Sequence, residues 1–98
     1  MDRTTLQNDW FDLTRERMPQ AAQAREWPVR FDHCFQRILL DNAVGAKWNE
    51  QIPAPAYRNA PDEILQRAVA LGRAAMEGTE DLAELNRNSL GFRGKLKP

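Results

Sequence analysis

Only one cysteine, Cys34, occurs among the 98 residues, so no disulfide can close within the chain. A secreted domain of this size usually needs several such staples, which makes a reducing cytoplasm the expected compartment. Long apolar runs are missing as well. No stretch approaches the ~18 apolar residues of a membrane span, and Met1 to Leu6 lacks the charged-then-apolar order of a signal peptide. Neither sign of charge is in excess: 14 basic residues meet 14 acidic ones, so no global field draws the chain to nucleic acid or to an anionic membrane. No segment alternates apolar with polar as a half-buried strand does, which argues against sheet-based folds. With one His beside the one Cys, a structural zinc would need two carboxylates as well, an uncommon set, and neither metal nor cofactor is expected.

What the sequence does contain is helical rhythm. Leu6, Trp10 and Leu13 recur at spacings of four and three with polar residues between them, and Thr4 or Thr5 can cap that run. Pro19 should end or kink it near residue 18, with a second short helix or kinked continuation following through the alanines at 21, 22 and 24. Trp27-Pro28 breaks the helical region. Asp32 then stands as an N-cap for a helix over residues 33–44, whose Phe35, Ile38, Leu39 and Ala43 form the most apolar stripe and whose Gly45 provides a stop. Residues 46–59 keep no helical period. Pro53 and Pro55 favour an extended path there, with Trp48, Ile52 and Tyr57 available as anchors for the core or for a partner. Pro61-Asp62-Glu63 opens a long helix with a clear core stripe from Ile64 to Met76, ending at Gly78. Thr79 caps a last helix to about residue 88 or 89, and Gly91 and Gly94 dissolve helical order beyond it.

The expected fold is therefore all-α, a compact irregular bundle of four or five helices with one long Pro-rich connection. A single helical domain covers residues 1–90, and a basic, flexible tail covers 91–98. Charge is unevenly placed between the two: four cations and no acid occur from Arg87 onward, while the preceding 86 residues carry ten cations and fourteen acids.

Candidate chemistry is sparse. Asp32-His33-Cys34 juxtaposes a carboxylate, a base and a nucleophile, but neighbours on a helix point about 100 degrees apart, so a Cys-His dyad cannot form between them and no catalytic residue is assigned. His33, Arg37 and Asp41 follow at spacings of four as one polar line, where Arg37 and Asp41 can pair across a turn. Read functionally, that line is a strip for partner recognition. Large aromatics in connections serve as interface anchors or as lids on the core. These considerations make Trp27, His33, Arg37, Trp48 and Tyr57 the candidate partner-binding residues. Arg87, Arg93, Lys95 and Lys97, interleaved with glycines and amides, are the candidate contacts for phosphate or nucleic acid.

Trp27 to Phe35, taken with Leu85-Asn86-Arg87-Asn88-Ser89-Leu90 and Arg93-Gly94-Lys95, resembles a group of short bacterial proteins labelled GNAT-type N-acetyltransferases. The resemblance implies a bacterial origin, a mixed sheet with helices, and acetyl-CoA held on a glycine-containing loop. Gly91 and Gly94 are separated by two residues where that loop has one between its small residues, so no catalytic residue is carried over.

From the residues, the expected function is that of a non-enzymatic interaction module, an accessory or regulatory protein docking on a larger protein or on another copy of itself. Nucleic-acid binding through the basic end and acyl-CoA-dependent transfer are the alternatives.

Overall fold

The computed structural model describes residues 2–96. Helix α1, Arg3–Phe11, is capped by Asp2, whose carboxylate accepts from the Thr5 amide at 2.8 Å, ahead of the threonines expected from sequence. It does not stop at Pro19. The chain passes through a π-helical stretch, Asp12–Arg17, into α2, Met18–Ala24. In that wider turn the Met18 amide reaches back to the carbonyl of Leu13, so Pro19 falls in the first turn of α2, where no amide is required of it. Thr14 sits inside this stretch and donates to the carbonyl of Trp10 at 2.9 Å, a back-bond that favours bending.

Helix α3, Asp32–Val44, begins after Phe31, with Asp32 as its first residue rather than its cap; Gly45 closes it in the left-handed conformation at φ 81°. The connection expected to be extended contains a 3-10 turn, Trp48–Glu50, and one helical turn, α4, Ala56–Asn59. Both short turns follow extended residues, Lys47 and Pro55, that aim the chain before it coils. Helix α5, Asp62–Glu77, ends at Gly78 as expected from its stripe. Helix α6, Leu82–Phe92, is capped by Asp81, not Thr79. It continues through Gly91, past the stop read from sequence, and Arg93 at its end is held by the Asp41 carboxylate of α3. No strand occurs among the described residues, so the mixed sheet implied by the resemblance is not there.

The elements enclose one core. Phe35, Ile38 and Leu39 of α3 are fully buried and sit at its centre, as their spacing foretells, joined by Trp10, Met18, Leu65 and Leu82 from four other segments. Each such side chain contributes on the order of 1.5–3 kcal/mol through the surface it takes from water. Gly72 allows α5 to come close: a Cβ there would press on the side chains of Leu13 and Leu39. A radius of gyration of 12.6 Å matches the ~13 Å of a 100-residue globule, so the Pro-rich connection is folded onto the body.

Candidate functional site: an arginine-lined aromatic cleft

The π-helical stretch, α3, the connection and the end of α6 meet around a half-open cleft of about 510 Å³, within the usual ~300–1,000 Å³ of small-ligand sites. Its walls are Trp10 and Phe11 from the first helix, Trp48 from the 3-10 turn, and Ala56 and Tyr57 from α4. Its polar groups are Arg15, Gln36, Arg37, Asn49 and Arg93, with His33 at the rim. Among the described residues no carboxylate lines it.

Each cation is held differently. Arg15, one turn after Phe11, lies over that ring at 3.9 Å, a cation–π contact that leaves the guanidinium exposed to solvent. Phe11 itself meets Tyr57 edge-on at 5.0 Å, so the two aromatic walls brace each other. Arg93 forks onto Asp41 of α3, with Nε donating to Oδ2 at 2.7 Å and Nη2 to Oδ1 at 3.0 Å. Asp41 is fully buried and also accepts from the Ser89 hydroxyl at 2.7 Å and from the Trp48 amide at 2.9 Å. Four donors thus satisfy a carboxylate that would otherwise be very costly to bury.

Arg37 donates to the Ser89 hydroxyl at 2.7 Å and to Asn86 Oδ1 at 3.0 Å. Both acceptors are neutral, and Arg37 meets no carboxylate among the described residues. A part-buried guanidinium fixed by neutral groups keeps a charge with no carboxylate partner among the described residues, and its orientation is set before any ligand arrives. The Arg37–Asp41 pair expected from their spacing of four is not formed: Ser89 stands between them, and the ion pair is made with Arg93 instead.

Of the residues singled out from sequence, His33, Arg37, Trp48, Tyr57 and Arg93 converge on this cleft. Trp27 does not; it packs edge-on against Phe35 at 5.7 Å with Arg25 beside its ring, and serves the core. Arg87 and Lys95 are exposed and outside the lining, and Lys97 lies outside the described residues. The amides expected to form a phosphate cradle are spent: those of Arg93, Gly94 and Lys95 bond to carbonyls of Ser89, Leu90 and Gly91. Sequence reading missed Phe11 and Arg15, although their spacing of four on a helix, which lets a cation reach back over a ring, is a usable signal.

His33 is exposed, stacks flat against Phe31 with centroids 5.8 Å apart, and has Asp32 3.6 Å from Nδ1. Cys34, half-buried, does not line the cleft. Among the described residues no cysteine, serine or threonine lines the cleft beside His33. Among the described residues no three His, Cys, Asp or Glu side chains are grouped to hold a metal, and no helix is long and apolar enough to cross a membrane. Comparison with known protein families, with curated proteins and with solved structures finds no match for this chain.

Proposed function

We propose that this protein is a non-enzymatic recognition module that takes an anionic group of a protein partner into the cleft between Arg15, Arg37 and Arg93. The observation that carries this reading is Arg37: a part-buried cation, oriented by Ser89 and Asn86, with no carboxylate partner among the described residues. Maintaining such a charge costs desolvation that an arriving anion offsets. The aromatic walls supply apolar contact area beside the charge, the combination typical of interface anchors.

The test is a titration followed by amide and indole NMR, using a short peptide of alternating Glu and Phe and its Lys-for-Glu counterpart. The acidic peptide should shift the Trp48 indole and the amides around Arg15 and Arg37, with affinity falling as salt rises. Arg37→Glu should abolish those shifts while the spectrum stays that of a folded chain. Equal binding of the basic peptide, or shifts confined to other surfaces, would defeat the reading.

A nucleic-acid reading draws support from the same mixture of arginines and aromatic faces, which suits stacked bases of a single strand. It requires Arg87 and Lys95 to extend the track, so their joint replacement by Gln should reduce both affinity for oligothymidylate and its salt slope. The acyl-CoA reading has no such support, because the glycine segment meant to cradle phosphate is helical through Phe92.

A further inference from the structure

The charge balance of the cleft narrows the kind of anion it fits. Arg15, Arg37 and Arg93 line it, and among the described residues the one carboxylate in contact with any of them is Asp41, which lies behind Arg93 and is fully buried. Three guanidinium charges against one carboxylate leave two in excess. At the rim, His33 lies beside Asp32, whose carboxylate is not part of the cleft lining. A ligand carboxylate would answer one of the two surplus charges. A phosphate monoester carries about −1.5 to −2 at neutral pH together with three strong acceptor oxygens, and answers both.

The geometry agrees with the count. Arg37 and Arg93 are tied to the same hydroxyl and carboxylate, Arg37 through Ser89 and Arg93 through Asp41, which itself accepts from Ser89. Two forks are thereby held from behind by one buried unit, while Arg15, exposed over Phe11, is free to swing in as a third. Planar forks suit the tetrahedral array of phosphate oxygens, which accepts several of them at once. Beside the arginines stand the Phe11, Trp48 and Tyr57 rings, whose apolar surface suits an aromatic body.

We propose that the cleft selects a phosphate monoester borne by an aromatic group, the phosphoryl end held by Arg37, Arg93 and Arg15 and the ring lying among Phe11, Trp48 and Tyr57. This rests on the anion-recognition reading of the same cleft and specifies its ligand. Two sources share the chemistry, a phosphotyrosyl side chain and a mononucleotide.

Calorimetric titration of the full chain with phenyl phosphate, benzoate, inorganic phosphate and adenosine 5′-monophosphate tests it. Phenyl phosphate should bind at least roughly tenfold more tightly than benzoate or inorganic phosphate. A stronger response to phenyl phosphate than to the nucleotide supports the proposal with phosphotyrosine as source; the reverse supports it with a nucleotide as source and overturns the protein-partner reading. Arg37→Lys, which keeps the charge and removes the fork, should lose most of the preference over benzoate. Arg15→Gln, at an exposed position where folding is not at stake, should weaken phenyl phosphate more than benzoate. Benzoate or inorganic phosphate matching phenyl phosphate would overturn the proposal while leaving anion recognition intact. Failure of all four ligands and of the acidic peptide would overturn both.

Discussion

On one flank of α3, Leu39 faces the bare Cα of Gly72 on α5 with Leu13 wedged beside it; on the other flank, Asp41 enters the seam with α6 and is met by Ser89 and Arg93. The first contact works by shape. Removing a side chain from one helix lets another come near, and the gain is dispersion and excluded water. The second works by charge, and its net worth is smaller than its hydrogen bonds suggest, because two ions had to leave water to make it. What the charged seam provides in return is orientation: it fixes the guanidinium of Arg93, the hydroxyl of Ser89 and, through Ser89, the fork of Arg37. The same helix thus obtains stability on one side and a prepared binding surface on the other.

Breaking the charged seam from one end should have the largest effect. Asp41→Ala leaves Arg93 part-buried without its counter-ion and is expected to cost roughly 3–5 kcal/mol in urea denaturation, a large share of a small domain's stability. The comparison sharpens with Asp41→Leu combined with Arg93→Met, which removes both ions together. Much of that stability should return, while affinity for phenyl phosphate stays low, separating orientation from stability. A double variant as unstable as Asp41→Ala would show the ion pair to be a net stabiliser after all.

The shape-based seam should be more tolerant. Gly72→Ala pushes a methyl group against the ends of Leu13 and Leu39, an overpacking of about 1–3 kcal/mol set against about 1 kcal/mol gained from the better helix former. A net loss near ~1 kcal/mol in the same denaturation, with ligand affinity unchanged, is the expected outcome. Loss of binding with little loss of stability would mean that the two flanks of α3 are coupled.

The smallest effect lies at the start of α1. Hydrogen bonds from Thr5 hold the Asp2 carboxyl below the ordinary aspartate range. A lowered folded value means that the cap's stabilisation is whole above the unfolded aspartate value and fades as pH falls through the folded one. Amide exchange at Thr5 should therefore differ between the natural chain and Asp2→Ala near neutrality and converge in strong acid. A difference that persists there would assign the cap to geometry alone.

Much of the helical layout is legible in the residues. Phe35, Ile38 and Leu39 are placed at the core by their spacing, and Gly45 and Gly78 mark helix ends where only a left-handed turn fits. Caps are harder to place: Asp2 and Asp81 take positions that nearby threonines could equally have filled, since any short oxygen-bearing side chain can do this work. Pro19 misleads for a different reason. Proline forbids an α-helical amide, yet one widened turn ahead of it restores continuity at little cost, and nothing local announces that choice.

At the site, residue type points to Trp48, Tyr57, Arg37 and Arg93 as candidates but not to their company. Asp41, by its spacing a solvated partner for Arg37, is instead the buried anchor of Arg93, 52 residues away along the chain.

The order of apolar and polar side chains along the chain, acting over three or four residues, determined that it would be helical and which faces would turn inward, because helical periodicity is local. Which charges meet was decided only when the helices docked, because an ion finds its lowest energy among all the donors that packing brings within reach. That choice left Arg37 oriented, part-buried and, among the described residues, without a counter-ion.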